Sequence, residues 1–411
     1  MALNFIWIAF FLIAFVVALI KLIAFGDTSI FKIIVDGVFD AAGSGVQISI
    51  GLIGVMSLFL GFMNIGEKAG AVGFLSRIVG PFFNKLFPEV PKNHPALGHM
   101  MMNFSANLLN LDNAATPFGL KTMESLQELN PNKDTASNSQ IMFMVLHASG
   151  LTLIPISIIA QRAIMKSSDP TLIFIPCMIA TFVATVTGLI AVSFKQRINL
   201  FNPVVIAWIG SISLMIGLLI YYFRKHPGNI ENFSKIVSNG LILILFIVFI
   251  VGGMIKKINV YEAFIDGAKT GFDVAVKIIP FLVGMLVAIS VLRNCGIFDY
   301  IIQGFTWFFG SLGINTDFVR ALPTALMRPL SGSASRAMMI STMTQYGPDS
   351  FPALVSGVMQ GSSDTTFYIV ALYFGSVGIK KTRYAIPAAL LADLAGIITA
   401  IAISYLFFHG R

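Results

Sequence analysis

Two stretches of the chain decide the fold, because the second repeats the first. Residues 36–66 read DGVFDAAGSGVQISIGLIGVMSLFLGFMNIG, and residues 266–296 read DGAKTGFDVAVKIIPFLVGMLVAISVLRNCG. When this gapless alignment is continued to residues 80 and 310, nine of its 45 positions are identical. Five of the nine are Gly or Asn, which a match between merely apolar segments would not produce. The sequence therefore predicts two related halves.

The repeat continues into the polar segments that follow, at offsets of 220 and then 213 residues. Transporters are often built from such internal repeats, with the substrate site where the repeats meet. The downstream matches are Ala114 with Ala334, Thr122 with Thr342, Met123 with Met343, Ser149 with Ser362, Thr152 with Thr365, and Ile156 with Ile369.

The composition predicts an all-α polytopic membrane protein. The chain is 56% hydrophobic and 11% charged, whereas soluble proteins contain about 25% charged residues. A helix needs about 20 apolar residues to cross the hydrocarbon core. Residues 5–25, 171–194, 204–223, 236–255 and 384–408 meet this length, and the shorter stretches 48–63 and 278–292 occupy matching repeat positions. We expect a multi-pass protein of the bacterial cytoplasmic membrane.

The net charge of +8 is explained by the lipid bilayer as partner. Lys and Arg cluster in the connections, where they face anionic lipid headgroups. These clusters flank both ends of residues 204–223, so they predict no orientation. No soluble domain is expected that could present a basic face to nucleic acid, and nucleic acid is therefore excluded as a partner.

Each half shows the same order of segments. An outer helix is followed by an amphipathic lead-in (27–40 and 259–272), a core helix (48–63 and 278–292), irregular segments (70–166 and 297–379) and a closing helix. Residues 204–223 have no counterpart. The predicted domains are residues 1–200, a linker helix within 201–225, and residues 226–411. One extra crossing inverts the second repeat if each repeat makes an even number of crossings, so inverted repeats are favoured.

Four irregular segments are predicted to be broken or re-entrant helices: 106–117, 147–150, 327–336 and 360–366. Each joins apolar stretches too short to span alone, and each is rich in Asn, Asp, Ser or Thr, which compete with helical hydrogen bonds. Pro117, Pro329 and Gly332 add explicit breaks. Backbone at membrane depth leaves the helix only where it is buried in protein or lines a wet cavity. These segments should therefore form the site.

The polar residues of the four segments are the candidate solute-binding residues. Buried polar and charged groups in a membrane carry an insertion cost, which suggests a function. In the first half the candidates are Asn107, Asn110, Asp112, Asn113, Thr116, His147 and Ser149. In the second half they are Arg328, Ser331, Ser333, Ser335, Arg336, Gln360, Ser362, Ser363, Asp364 and Thr365.

The charged candidates have two interpretations each. Arg328 and Arg336 bracket a run of serines near a helix break, which suits an anionic group; alternatively, one arginine pairs with Asp112 or Asp364. The two aspartates could instead cap the helices that follow them. The polar string around Asp364 also suits Na⁺ or a proton as coupling ion. No cofactor and no metal site are expected.

Several motifs resemble those of a known family. Residues 103–117 (NFSANLLNLDNAATP) and 147–150 (HASG) are similar to spore maturation protein A, and residues 328–336 (RPLSGSASR) and 360–366 (QGSSDTT) to spore maturation protein B. The chain thus resembles a fusion of the two, joined by residues 204–223. The wider nucleoside-recognition, or Gate, group includes ferrous-iron transporters and relatives of concentrative nucleoside transporters. The resemblance implies membrane transport and fixes no substrate.

Secondary transport of a small polar solute with an anionic group is the function that these observations favour. A membrane scaffold for envelope assembly is the alternative, although it gives no reason for buried polar breaks. A remote alternative is an intramembrane hydrolase that pairs His147 with Ser331, Ser333 or Ser335; we expect no enzyme. The solute is the expected partner, and the sequence allows either a monomer or a homo-oligomer.

Overall fold

The chain folds into seventeen α-helices, with no strand among the residues that the structure describes. A computed structural model describes residues 2–110, 112–225 and 230–409, without the side chains of 2–4, 112–114, 223–224, 230–232 and 234–235. The first half contains α1 (Ala2–Phe25), α2 (Ile30–Lys68), α3 (Ala71–Leu86), α4 (Pro95–Leu108), α5 (Asp112–Leu129), α6 (Asn138–Ser149), α7 (Ile156–Ile164) and α8 (Phe174–Gln196). After α9 (Pro203–Lys225), the second contains α10 (Ile230–Ile255), α11 (Val260–Asn294), α12 (Ile297–Ser311), α13 (Leu322–Met327), α14 (Gly332–Tyr346), α15 (Phe351–Gly361), α16 (Thr366–Ser376) and α17 (Ala385–Phe408).

Seven of the described helices are long and apolar enough to cross a membrane: α1, α2, α8, α9, α10, α11 and α17. They contain the seven stretches predicted from the sequence, so the prediction of a multi-pass helical membrane protein is confirmed. Their burial differs, since 72% of the apolar window of α8 is buried but only 11% of that of α1 or α9. The helix α8 therefore lies inside the protein, whereas most of α1 and α9 is exposed at its surface.

The predicted separation between lead-ins and core helices is wrong. Residues 30–68 form one helix of 39 residues and residues 260–294 one of 35. Gly43 and Gly45 do not interrupt α2, and Pro280 remains inside α11. A continuous helix satisfies its own backbone groups, which lipid cannot do, and this requirement outweighs the weak helix preference of Gly and Pro.

The gapless repeat alignment holds only as far as Asn64 and Asn294. The helix α11 ends at Asn294, while α2 continues four residues past Asn64 to Lys68. The next helices begin after Gly70 and Gly296, whose φ angles of 90° and 87° lie in the left-handed region that favours glycine. Gly296 therefore corresponds in role to Gly70, and its alignment with Gly66 is wrong by about one turn.

The equivalent helices α2 and α11 pack against each other in opposite directions. The Asn64 amide donates to the carbonyl oxygen of Ala263 at 2.6 Å. The equivalent Asn294 amide donates to the equivalent carbonyl, that of Ile33, at 3.4 Å. The end of each helix thus contacts the start of the other, which defines a pseudo-two-fold relation. Because both helices are membrane spans, these antiparallel counterparts make the repeats inverted.

Glycine brings the two antiparallel backbones together. A Cβ atom on Gly271 would lie 2.6 Å from the backbone of Ser57, and one on Gly267 would contact the carbonyl of Leu60. The Ser57 hydroxyl also donates to the carbonyl of Ala268 at 2.9 Å. Small residues and interhelical hydrogen bonds of this kind hold membrane helices together in the absence of a hydrophobic driving force.

All four predicted breaks are interruptions of helical structure, and they are of two kinds. The helices α4 and α5 pack side by side and form the first hairpin, and α13 and α14 form the second, so the breaks after Leu108 and at 328–331 are turns of helical hairpins. The helices α6 and α7 do not pack side by side, and neither do α15 and α16. Each pair is therefore one helix that is interrupted, at 150–155 in the first interrupted helix (α6/α7) and at 362–365 in the second (α15/α16). Pro117 lies inside α5, so the predicted break there is wrong.

We predict that Gly271→Ala destabilises the protein more than Gly284→Ala. Both glycines lie in α11, but an added Cβ at Gly284 would meet nothing within 4 Å. There, alanine should be neutral or should stabilise by up to about 1 kcal/mol through helix propensity. At Gly271 the backbone of α2 must move away. Thermal unfolding in detergent measures both variants, and an equal change would contradict the close contact.

Candidate functional site

The four breaks surround one cavity of about 560 Å³. The first hairpin and the first interrupted helix contribute the predicted residues Asn107, Asn110, Thr116 and His147. The second hairpin contributes Arg328, Ser331, Ser333 and Arg336. The second interrupted helix contributes Gln360, Ser363, Asp364 and Thr365. The structure therefore brings together residues that lie as far apart in the chain as Asn107 and Thr365.

Three predicted site residues do not line the cavity. The hydroxyls of Ser149 and Ser362 donate to the carbonyls of Leu146 and Met359, three residues earlier, each at 2.9 Å. The hydroxyl of Ser335 donates to the carbonyl of Thr324 at 2.8 Å. All three serines are fully buried. Serine hydroxyls often bond nearby carbonyls in this way and then serve packing instead of a ligand.

The side chains of Asp112 and Asn113 lie outside the described residues. Their backbone forms the start of α5, the second helix of the first hairpin. The two interpretations of Asp112, as a cap and as a site residue, thus both remain predictions.

The breaks support one another through backbone hydrogen bonds. The amide of Leu153 donates to the carbonyl of Leu108 at 2.9 Å, which joins the two breaks of the first repeat. The amide of Asp364 donates to the carbonyl of Ala148 at 2.8 Å, which joins the two interrupted helices across the repeats. Groups released from regular helix are thereby paired inside the protein, as their burial in a membrane requires.

The second hairpin is tied to the second interrupted helix in the same manner. The Arg328 guanidinium donates to the carbonyl of Ser363. The amide of Phe367 donates to the carbonyl of Pro329 at 3.0 Å. A Cβ atom on Gly332 would lie 2.7 Å from the Thr365 hydroxyl. Arg328 therefore positions backbone in addition to lining the cavity, a role that its sequence context did not indicate.

His147 is held in a polar cluster that sequence reasoning recognised only in part. Its Nδ1 atom lies 2.7 Å from the Asn107 amide and 3.0 Å from the Asn103 Oδ1 atom. Its Nε2 atom lies 3.2 Å from the Tyr373 hydroxyl, which comes from α16 of the other repeat. Asn103 could have been found, since it precedes Asn107 by one turn. Tyr373 gave no signal in its apolar helix.

The geometry around His147 does not form the Ser–His pair of the hydrolase alternative. The hydrogen bonds of its ring go to Asn103, Asn107 and Tyr373. None of the three serines considered is among these partners. Ser331 instead caps α14, where its hydroxyl accepts from the amide of Ala334 at 3.2 Å.

The aspartate that follows the second interruption, Asp364, faces both a backbone group and the cavity. Its Oδ1 atom accepts from the amide of Thr365 at 2.6 Å, next to the start of α16. Asp364 also lines the cavity with Arg328 and Arg336. The N-cap of α16 is Thr365 and no side chain caps this helix, so the cap interpretation of Asp364 is wrong, whereas its role in the site remains a prediction. Among the described charged side chains, the cavity lining contains two guanidinium groups and one carboxylate.

Two ion pairs at the ends of the interrupted helices link the repeats. Arg162, at the end of α7, is fully buried and bonds Asp349 at 2.9 Å. Lys381, beyond α16, bonds Asp134 in the α5–α6 connection at 3.1 Å. Partial burial raises the pKa of Asp349, but hydrogen bonds from Ser167 and Ser168 and the Arg162 charge bring it below its ordinary value.

The second ion pair is far more exposed than the first. The Thr135 hydroxyl and then Lys381 hold the pKa of Asp134 below its ordinary value. The side chain of Lys381 is 70% exposed, whereas that of Arg162 is 0% exposed. Arg162 also donates to the carbonyls of Pro348 and Asp169, at 2.7 and 3.1 Å. The two ion pairs therefore differ in what their loss should cost.

We predict that Arg162→Ala lowers the unfolding temperature clearly more than Lys381→Ala. Removal of Arg162 leaves acceptors without a donor, at about 1–3 kcal/mol for each buried one. An exposed pair such as that of Lys381 contributes about 0–1 kcal/mol. Thermal unfolding in detergent compares the two variants. Equal shifts would show that the buried guanidinium does not hold the end of α7.

The fold and the cavity define a polytopic helical membrane protein of two inverted repeats with interrupted helices. The family model described as Gate, nucleoside recognition, matches residues 49–165 and 275–380, together more than half of the chain. The chain belongs to this family.

Two curated relatives from Bacillus subtilis (strain 168) correspond to the two proteins whose fusion the sequence resembles. Spore maturation protein B is 45% identical over 176 residues, which are 42% of this chain and 97% of that protein. Spore maturation protein A is 41% identical over 155 residues, which are 38% of this chain and 79% of that protein. No solved structure matches the chain. The domain boundaries proposed from the sequence remain a prediction.

Proposed function

We propose that the chain is a secondary transporter that moves a small polar solute across the cytoplasmic membrane of a bacterium. The observation that carries the proposal is the cavity of about 560 Å³ at the meeting point of four helix interruptions. Discontinuous helices at a repeat interface supply transporters with helix ends and free backbone groups for solute and ion. A scaffold would gain nothing from polar groups buried at this cost.

The cavity lining supports a solute with an anionic group. Arg328 and Arg336 line the cavity together with Asp364, and the Ser331 cap marks the start of α14 there. Guanidinium groups match carboxylate and phosphate in planar, bidentate contacts. Helix starts add oriented amides that favour negative charge. Amides such as Asn107 and Gln360 can bond the polar remainder of the solute.

Unequal packing of equivalent helices supports alternating access. In the first repeat α2 packs on α7, with Gly51 against the side chain of Ile164. The equivalent helices α11 and α16 do not pack on each other. They border the cavity instead, through Ile278, Phe281 and Leu282 on α11 and Tyr368, Ile369 and Leu372 on α16. The cavity thus occupies the place where the second repeat lacks a contact that the first repeat makes.

The alternate state follows from exchanging the conformations of the two repeats. In that state α11 packs on α16 and closes this cavity, while α2 separates from α7 and opens the equivalent one. The movement shifts the interrupted helices relative to the antiparallel pair α2/α11. Neither the interrupted helices nor the α2/α11 pair changes its internal structure. Two states of similar free energy allow a solute to be bound from one side and released to the other.

A panel of solutes in a thermal-shift assay tests the proposal. A ligand that binds only the folded state stabilises it by RT ln(1 + L/Kd), where L is the ligand concentration, so the unfolding temperature rises with the logarithm of the ligand concentration above Kd. We expect hits among small polar anions, confirmed by uptake into proteoliposomes. A panel in which no solute stabilises the protein and none is taken up would contradict transport.

We predict that Arg336→Gln weakens binding of an anionic hit more than that of its neutral analogue. The lost charge-assisted hydrogen bonds should cost about 1.5–3 kcal/mol, roughly 10- to 150-fold in Kd. Arg336 is the better position, because Arg328 also holds the Ser363 carbonyl. Exposed Arg77 on α3 supplies the control Arg77→Gln, which should change neither affinity. Equal loss for both analogues would exclude an anion at Arg336.

A further inference from the structure

A buried carboxylate on the last helix lies directly behind the cavity. Asp393 of α17 is 2% exposed, and its Oδ2 atom accepts from the Thr366 hydroxyl at 2.7 Å. Its other oxygen, Oδ1, is buried and has no hydrogen-bond partner. A buried carboxylate oxygen without a donor is costly, so a group that the protein does not supply should satisfy it.

A second buried oxygen beside Asp393 also has no partner. The Ser363 hydroxyl, in the unwound segment 362–365, points towards the Asp393 carboxyl as a hydrogen-bond donor, yet neither Ser363 Oγ nor Asp393 Oδ1 has a partner within hydrogen-bond distance. Ser363 is 4% exposed and lines the cavity. The two oxygens therefore lie near each other, between the cavity and α17, with room for a ligand that contacts both.

The unwound segment brings further oxygens to the same face of α17. Gly396, one turn after Asp393, allows the carbonyl oxygen of Ser362 to approach to 2.9 Å from the position that a Cβ would take. The Thr366 hydroxyl oxygen keeps a free lone pair while it donates to Asp393. Carboxylate, hydroxyl and carbonyl oxygens are together the ligands of a hard cation.

The local charges are consistent with one added positive charge. Arg328 and Asp364 are the charged groups near Asp393. Asp393, Asp364 and Arg328 together leave one negative charge, which a monovalent cation neutralises; Arg336, the other guanidinium of the cavity lining, is not among the charges that act on Asp393. A proton on Asp393 would balance this charge as well, but it would join only two of the converging oxygens.

We propose that Asp393, Ser363, Thr366 and the Ser362 carbonyl form a Na⁺ site behind the solute cavity. Ser363 belongs to both the cation site and the cavity wall, so occupancy of one affects the other. Na⁺ at this place draws the unwound segment towards α17 and fixes the cavity wall that carries Asp364 and Thr365. Its role as the coupling ion rests on the transport function proposed above, whereas its binding does not.

Thermal unfolding of the full-length protein in detergent tests the site without any solute. Unfolding temperatures are measured over a series of NaCl concentrations, with choline chloride holding ionic strength constant at fixed pH. We expect saturable stabilisation by Na⁺ in the unchanged protein and its loss in Asp393→Asn, which keeps the shape and the Thr366 contact. Ser363→Ala should raise the half-saturating Na⁺ concentration about fivefold, as expected for one lost ligand of about 1 kcal/mol.

The same helix provides a matched control. Ser404 on α17 is fully buried and its hydroxyl also lacks a partner, but it lies eleven residues from Asp393. Ser404→Ala should leave the half-saturating Na⁺ concentration unchanged. If Asp393→Asn fails to fold, Ser363→Ala and Thr366→Val carry the comparison.

Three results would overturn the proposal. Stabilisation by NaCl no greater than by choline chloride would exclude the site, and so would an unchanged Na⁺ response in Ser363→Ala and Asp393→Asn. Stabilisation that follows pH at constant Na⁺ would assign Asp393 to a proton instead. Because no solute is present, none of these results depends on transport, and a failed solute screen leaves the cation test intact.

Discussion

Backbone groups that leave the helix inside a membrane need partners within the protein, and the architecture of this chain depends on that constraint. At four places the chain interrupts its helices, and each interruption finds hydrogen bonds in another one. Leu153 bonds Leu108, Asp364 bonds Ala148, and Arg328 bonds the Ser363 carbonyl. The interruptions therefore stabilise one another only when they meet. Their meeting encloses the polar cavity, so the stability of the fold and the existence of the site have one cause.

The antiparallel pair α2/α11 provides the frame for this arrangement. Its symmetric contacts, with Asn64 on Ala263 and Asn294 on Ile33, relate the two repeats by inversion. The packing around the pair is asymmetric, since α2 meets α7 while α11 and α16 border the cavity. In the transport mechanism that we propose, related repeats with unequal packing can exchange their arrangements. The side chains that differ between the repeats would then favour one arrangement and form one binding site from two unlike halves.

The sequence predicted the membrane class, the repeat and the four interruptions, because each rests on local composition: apolar length, glycine matches and clustered polar residues. It did not predict the continuity of α2 and α11, where the demand for paired backbone outweighed Gly and Pro. It also assigned Ser149, Ser335 and Ser362 to the site, although their hydroxyls bond carbonyls. The contribution of Tyr373 depends on a tertiary contact that no local pattern carries, whereas Asn103, one turn before Asn107, could have been found from the sequence.

Disulfide cross-linking between equivalent positions tests the two-state account most directly. In a background with Cys177 and Cys295 replaced by alanine, one variant carries Gly51→Cys with Ile164→Cys, the pair in contact here. A second carries Phe281→Cys with Val377→Cys, the positions equivalent to them in the other repeat. The account predicts that each pair forms a cross-link, and that in the four-cysteine variant either cross-link excludes the other. Cross-linking at residues 51 and 164 alone, under all conditions, would contradict it.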